Sequence, residues 1–166
     1  ILVYDYWPPR DIDVAKLYGT KDYGELQKIA DAIIKQTGAT TNEKTATFSI
    51  HPKEIFATDE FYRKVVGVMK GLGYSIRSKS DAETVKEFFS LATAGKSDEE
   101  IRIAMQKKGW DFYVSKSPLA INISPFPMNK AFGIAYAAAK IHNCNLENVV
   151  AIADDQGDIP LFDIVG

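Results

Sequence analysis

The chain has 166 residues, of which 46% are apolar and 25% charged, close to the average of a globular domain. Its formal net charge of −2 supplies no basic footprint and argues against a nucleic-acid partner. No apolar run approaches the roughly 20 residues of a membrane span, and the opening ILVYDYWPPRD lacks the basic n-region and long h-region of a signal peptide. The single Cys144 excludes an internal disulfide and every multi-cysteine metal site, and fits a reducing, cytoplasmic setting. The length suits one domain, or one domain plus a lobe. Ile1 begins inside an apolar run and Gly166 closes without a tail, so both ends read as cuts through a longer sequence.

Ile1 to Tyr4 reads as a short β-branched and aromatic strand, and Pro8-Pro9 with the acidic stretch behind it as loop. Thr20 is placed to cap a helix running to about Gln36. Leu26, Ile29, Ala30, Ile33 and Ile34 share one face of it, and Gly38 ends it. Thr45 to Ile50 alternates around Ala46, Phe48 and Ile50 as a half-buried strand does. Thr58, followed by Asp59 and Glu60, opens a helix whose apolar stripe is Phe61, Val65, Val68, Met69 and Leu72. Gly71 and Gly73 stop it, and a strand begins at Tyr74 to Arg77.

Two helices follow, each with the spacing of a capping box: Ser80 with Glu83, then Ser97 with Glu100. WDFYVSKS and LAINIS read as two strands about a turn at Ser117-Pro118. Asn129 caps an alanine-rich helix from Lys130 to about His142. Val149 to Ala153 is a continuous apolar strand of the kind buried in a parallel sheet. The acidic loop DDQGD follows, then a last helix from Ile159 to Val165 with Pro160 in its first turn. KGLGYSIRSKS and KKGWDFYVSKS echo each other; the echo is either an internal repeat or the shared vocabulary of helix-to-strand joints. The middle thus reads as an α+β lobe and the tail as α/β.

The chemistry concentrates in VVAIADDQGDIPLF. A buried strand delivers Asp154 and Asp155 to its carboxyl end, where open α/β sheets bind ligands. Asp158 stands four residues after Asp154, at the start of the next helix. Clustered carboxylates suit a hard divalent cation such as Mg²⁺, whereas Asp158 alone also serves as a helix cap and Asp155 as a solvated side chain. Lys130 opens the preceding helix, where its charge meets the positive end of the dipole. That local cost suits a lysine that holds phosphate as a point charge.

The stretch MNKAFGIAYAAAKIHNCNLENVVAIADDQGDIPLFDIVG resembles the third and fourth motifs of haloacid dehalogenase (HAD) superfamily phosphatases, in the subclass with the larger α/β cap that includes phosphoglycolate and sugar phosphatases. The resemblance implies a partial HAD-like Rossmannoid core. Residues 1–20 would form a core edge segment, 21–128 the α+β cap lobe and 129–166 the C-terminal part of the core. It implies Lys130 as the phosphate-holding lysine, Asp154 as a Mg²⁺ ligand and Asp158 as completing or supporting the metal site. The substrate would be a small phosphorylated metabolite such as phosphoglycolate or a sugar phosphate. Ala153 stands where the family has Gly, and Gly157 where it has Asn. The family's Asp-x-Asp nucleophile motif is absent: Asp5 follows an apolar strand, but Trp7 and Pro8-Pro9 replace the second acid and the Gly-Thr turn. Asp5 is therefore not assigned as nucleophile. The first two motifs are expected upstream of Ile1, and this chain alone is expected to be inactive. The alternative is a non-catalytic HAD-like binding module that lacks the nucleophile.

Other residues carry weaker signals. His51 and His142 have no serine or cysteine motif beside them. Trp7 and Trp110 read as packing. Ser115, Lys116, Ser117 and Asn122 face either a substrate or solvent on the expected hairpin. The strand edges around KTATFSI offer a surface for a homodimer.

Overall fold

The computed structural model describes residues 2–6, 9–13, 18–19, 21–44, 47–78, 82–152 and 159–165. The fold is mixed α/β. In chain order its elements are β1 (Leu2–Tyr6), β2 (Pro9–Asp13), α1 (Tyr23–Thr37), β3 (Thr40–Lys44), β4 (Thr47–His51), α2 (Asp59–Gly71), β5 (Ile76–Arg77), α3 (Ala82–Thr93), α4 (Asp98–Gln106), β6 (Phe112–Lys116), β7 (Ile121–Pro125), α5 (Lys130–Tyr136) and α6 (Ile159–Phe162). A π-helical turn, Ala137–His142, continues α5.

The described residues bury apolar side chains in two clusters. The first lies beneath a five-stranded sheet of order β3-β4-β7-β6-β5, antiparallel except for β5 beside β6. Strand period places Phe48 and Ile50 of β4, Ile121 and Ile123 of β7, and Phe112 and Val114 of β6 on one face. All six are buried there with Leu26, Ile29 and Ile33 of α1 and Val65 and Met69 of α2. The opposite face is polar. Both helices begin at side-chain caps. The Thr58 hydroxyl oxygen accepts from the Phe61 N–H at 3.1 Å, and the Asp22 carboxylate, rather than the expected Thr20, accepts from Glu25 N–H at 2.9 Å; Thr20 lies outside the described residues.

The second cluster is helical. Phe88 of α3, Ile101 and Met105 of α4, and Phe132 and Ala135 of α5 close around Tyr18, with Leu161 and Ile164 beside them. Phe88 and Phe132 approach with ring centroids 4.1 Å apart, and Tyr18 meets Phe88 edge-on at 5.2 Å. The Ser97–Glu100 capping box forms at the start of α4; Ser80 of the other expected box lies outside the described residues. Helices α3 and α4, inside the 21–128 span, thus bury their apolar faces against α5 and not against the sheet.

The echoed segments are neighbours. Strands β5 and β6 pair in parallel with Ile76 opposite Phe112 and Arg77 opposite Tyr113, the same alignment that superposes Gly73 on Gly109. Both glycines hold positive φ, 89° and 73°, which lets each helix end turn directly into its strand.

Several expectations give way. Pro9–Asp13, read as loop, is β2, paired across from β1 with Asp5 opposite Arg10. The polar TTNEK is β3, an edge strand that carries no apolar alternation for the sequence to reveal. The last helix spans Ile159–Phe162 instead of reaching Val165. Val149–Ile152 forms no strand, because no described strand lies alongside to complete its hydrogen bonds. Its side chains nevertheless alternate: Val149 and Ala151 pack on the helical core, whereas Val150 is 85% and Ile152 95% exposed. No helix among the described residues is long and apolar enough to cross a membrane.

Candidate functional site

The helix that carries Lys130 is set in place by its preceding turn. The Ser124 hydroxyl at the end of β7 donates to the Met128 carbonyl at 2.8 Å, and the Met128 N–H donates to the Pro125 carbonyl at 2.7 Å. The Phe126 N–H donates to the Asp111 carbonyl at 2.9 Å. Asn129 then caps α5, its Oδ1 accepting from the Phe132 N–H at 2.7 Å. Ala131, Phe132 and Ala135 are buried, so the helix start is anchored while Lys130, its first residue, is exposed. A cation at this position stands at the positive end of the helix dipole.

Beyond the π turn, Asn143 takes a left-handed conformation with φ 48° and ends the helical run. The Cys144 N–H donates to the Ala138 carbonyl at 2.9 Å. Leu146 is buried, and the Val149 N–H donates to its carbonyl at 3.1 Å. These contacts bring the chain to Val149–Ile152. Asp154, Asp155 and Asp158 lie outside the described residues, as do Ala153 and Gly157. Among the described residues no group of three or more His, Cys, Asp and Glu side chains is placed to hold a metal.

The structure separates the weaker candidates. His51 ends β4 and is half-buried, and His142 is exposed in the last turn of the helical run, where a cation suits the dipole. Lys116 pairs with Asp59. The Ser117 hydroxyl donates to the Ala120 carbonyl at 3.1 Å and so closes the β6–β7 turn. Ser115 and Asn122 stand opposite each other on the polar sheet face, and the Ser49 hydroxyl donates to the Asn122 Oδ1 at 2.8 Å. Trp110 lies under the Arg77 guanidinium, 5.7 Å from ring centroid to Cζ. Trp7 lies outside the described residues. Reasoning from the sequence singled out Ser115 and Asn122 but not Ser49, Arg77 or Tyr113, which share their face. The signal was the polar half of each strand's alternation, visible only once the pairing of β4, β7, β6 and β5 is known.

No family model matches the chain, and no curated protein or solved structure matches it.

Two polar knots tie parts of the molecule together. The buried Tyr18 hydroxyl donates to the Asp98 carboxylate at 2.6 Å, and Lys140 sits 3.2 Å from the same carboxylate. Burial, followed by the Asp98 bond and charge, pushes the Tyr18 hydroxyl far above its ordinary range, and the Tyr18 bond holds Asp98 below the usual carboxylate value. In the sheet unit the Tyr74 hydroxyl donates to Glu25, which pushes Tyr74 up to about 12. Asp111 joins Lys21 at 3.2 Å and accepts from the Ser75 N–H at 2.7 Å.

Proposed function

We propose that these residues carry the cap and the C-terminal part of the core of a Mg²⁺-dependent phosphomonoesterase of the HAD type, acting on a small phosphorylated metabolite. The observation that carries this reading is the exposed Lys130 at the first position of an Asn129-capped, core-anchored helix. The chain then runs through the helical core into the alternating segment Val149–Ile152 and directly into ADDQGD. The exposed Val150 and Ile152 support it too: two β-branched side chains in water are what a central parallel strand presents when its neighbours lie elsewhere in the protein.

In this reading Lys130 binds a phosphate oxygen as a point charge and fixes the phosphoryl group near the helix N-terminus. Asp154 and Asp158 would hold the Mg²⁺; their oxygen donors are the type that ion takes, one or two carboxylates together with water and phosphate oxygens. When bound, the ion neutralises charge on the phosphoryl group and orients it. The nucleophilic aspartate is not among these 166 residues. Asp5 lies mid-strand in an antiparallel hairpin, opposite Arg10, and not at the carboxyl end of a parallel strand.

The test is Mg²⁺-dependent hydrolysis of an aryl phosphate by the full natural polypeptide that contains these residues. Asp154→Ala should cost roughly 10²-fold or more in rate, the scale of losing one electrostatic contributor, and Lys130→Ala should act in the same direction. No hydrolysis by a polypeptide that has an upstream Asp-x-Asp would overturn the enzyme. The alternative, a binding module without a nucleophile, is favoured by the hairpin placement of Asp5 if no Asp-x-Asp precedes it.

A further inference from the structure

We propose that α3 and α4 form a strap that locks the sheet unit onto the helical unit, so that the two units keep one fixed orientation and no swing of the sheet lobe opens or closes the Lys130 end. The lock is a property of the fold and stands whether or not the phosphatase reading does. Strands β5 and β6 are parallel neighbours, so the chain between them must cross over. Helices of such a crossover ordinarily pack back onto their own sheet. Here α1 and α2 already cover its apolar face. The apolar stripes of α3 and α4 go to α5 instead: Val85, Phe88, Ile101 and Met105 are completely buried in the cluster that holds Phe132 and Ala135. Residues 78–81 and 107–111 are the whole of the two tethers, and each residue reaches at most ~3.6 Å. The sheet therefore cannot travel far while α3 and α4 stay seated.

Polar contacts fasten the seat. Asp98, in the first turn of α4, accepts from the buried Tyr18 hydroxyl at 2.6 Å and lies 3.2 Å from Lys140. Lys140 also donates to the Lys96 carbonyl at 3.2 Å. Tyr18 stands just before Asp22, the cap of α1, so its bond fixes the chain where it enters the sheet unit. The other passages between the units meet at Asp111. Its carboxylate lies 3.2 Å from Lys21 and accepts from the Ser75 N–H at 2.7 Å, and its carbonyl accepts from the Phe126 N–H at 2.9 Å. Phe126 is itself completely buried, its ring 5.0 Å from that of Tyr113. A hinge absorbs its motion at a few element-terminal residues; here the passages before α1, before β6 and after β7 converge on one residue. Helices α3 and α4 can still unfold with α5 while the sheet persists, but as long as they are folded the orientation is set.

The experiment measures backbone N–H residual dipolar couplings of the ¹⁵N-labelled 166-residue chain, alone and with Mg²⁺ plus inorganic phosphate. Couplings from α1, α2, β4, β6 and β7 and those from α3, α4 and α5 are expected to fit one alignment tensor, equal in magnitude and axes, under both conditions. A smaller tensor for either unit, or relative axes that change between conditions, overturns the lock. Phe88→Ala then tests the strap by amide exchange. It should speed the Asp111 and Phe126 amides by the same factor as the α3 and α4 amides, about 10²-fold or more for loss of a buried ring. Acceleration of α3 and α4 with Asp111 and Phe126 unchanged would mean that the strap does not hold the passages together, and the proposal falls. Phe88→Leu, with a smaller common factor expected, is the second variant if Phe88→Ala fails to fold.

Discussion

The two cores of this molecule are built to different degrees of closure. In the sheet unit, every large apolar side chain facing the helices from β4, β6 and β7 is buried under α1 and α2, and on the other face, otherwise polar, Tyr113 is buried against Phe126. In the helical unit, α3, α4 and α5 bury Phe88, Phe132 and Tyr18 completely, yet the same unit leaves Val150, Ile152, Ile159 and Phe162 exposed within thirteen residues of chain. A unit whose strands pair only with one another completes its own core. The sheet unit's own exposed apolar side chains, Ile55, Phe56, Leu72 and Leu119, lie in bends and turns, whereas Val150, Ile152, Ile159 and Phe162 of the helical unit gather on both sides of the acidic loop. The contrast separates a self-contained lobe from the end where further partners and the chemistry are proposed to meet.

The largest test of that contrast is Phe88→Ala. Removing a fully buried ring that touches Tyr18 and Phe132 should cost about 3–5 kcal/mol, read by residue-resolved denaturant unfolding. If the cores are distinct, the loss appears in α3–α5 and leaves the sheet's midpoint unmoved, whereas Ile121→Ala, at about 2–5 kcal/mol, does the reverse. One shared transition shifted equally by both would break the comparison.

Tyr18→Phe sharpens it next. Losing the hydroxyl bond to Asp98 should cost about 1 kcal/mol at neutral pH. The bond lowers the folded-state value of Asp98, so its contribution is present above the unfolded carboxylate value of about 4 and is lost as pH falls through the lowered folded value. The gap between wild type and Tyr18→Phe should therefore close in acid. A gap that widened in acid would contradict the assignment.

Asn129→Ala should cost about 1 kcal/mol through loss of the cap on α5, measured by thermal or denaturant unfolding, with Asn129→Asp retaining most of it. The smallest expected effect belongs to Val150→Ser and Ile152→Ser. At such exposed positions each should change the stability of the 166-residue chain by less than ~0.5 kcal/mol. A loss of several kcal/mol would mean that both side chains are covered, and the contrast in closure would fail.

How far the sequence could be read follows the same division. Local devices were legible: the Ser97–Glu100 box, the Thr58 and Asn129 caps and the stripes of α1 and α2 are short-range and survive in the fold, except that Leu72, expected in the α2 stripe, lies past the helix end and is exposed. The edge strands were not. TTNEK has no apolar face to reveal, and Pro9–Asp13 becomes a strand only because β1 lies beside it. The strand expected over Val149–Ala153 failed in the opposite sense across its described part, Val149–Ile152. Its composition is that of a buried strand, but strand formation needs a neighbour that composition cannot supply. The polar face was half legible, since Ser115 and Asn122 were visible as candidates while Ser49 and Arg77 join them only through cross-strand register. Of the candidate site, Lys130 is where the sequence placed it, at the first position of a capped helix, and the acidic loop rests on its sequence alone.

The most direct test uses Mn²⁺ as a paramagnetic stand-in for Mg²⁺ on the ¹⁵N-labelled 166-residue chain. The account predicts selective broadening of Ile152, Ile159 and the amides of Asn129–Ala131, abolished by Asp154→Asn together with Asp158→Asn. Broadening confined to exposed acidic helix starts such as Asp59–Glu60 or Asp98–Glu100, unchanged in that double variant, would contradict a metal and phosphate site at this end of the molecule.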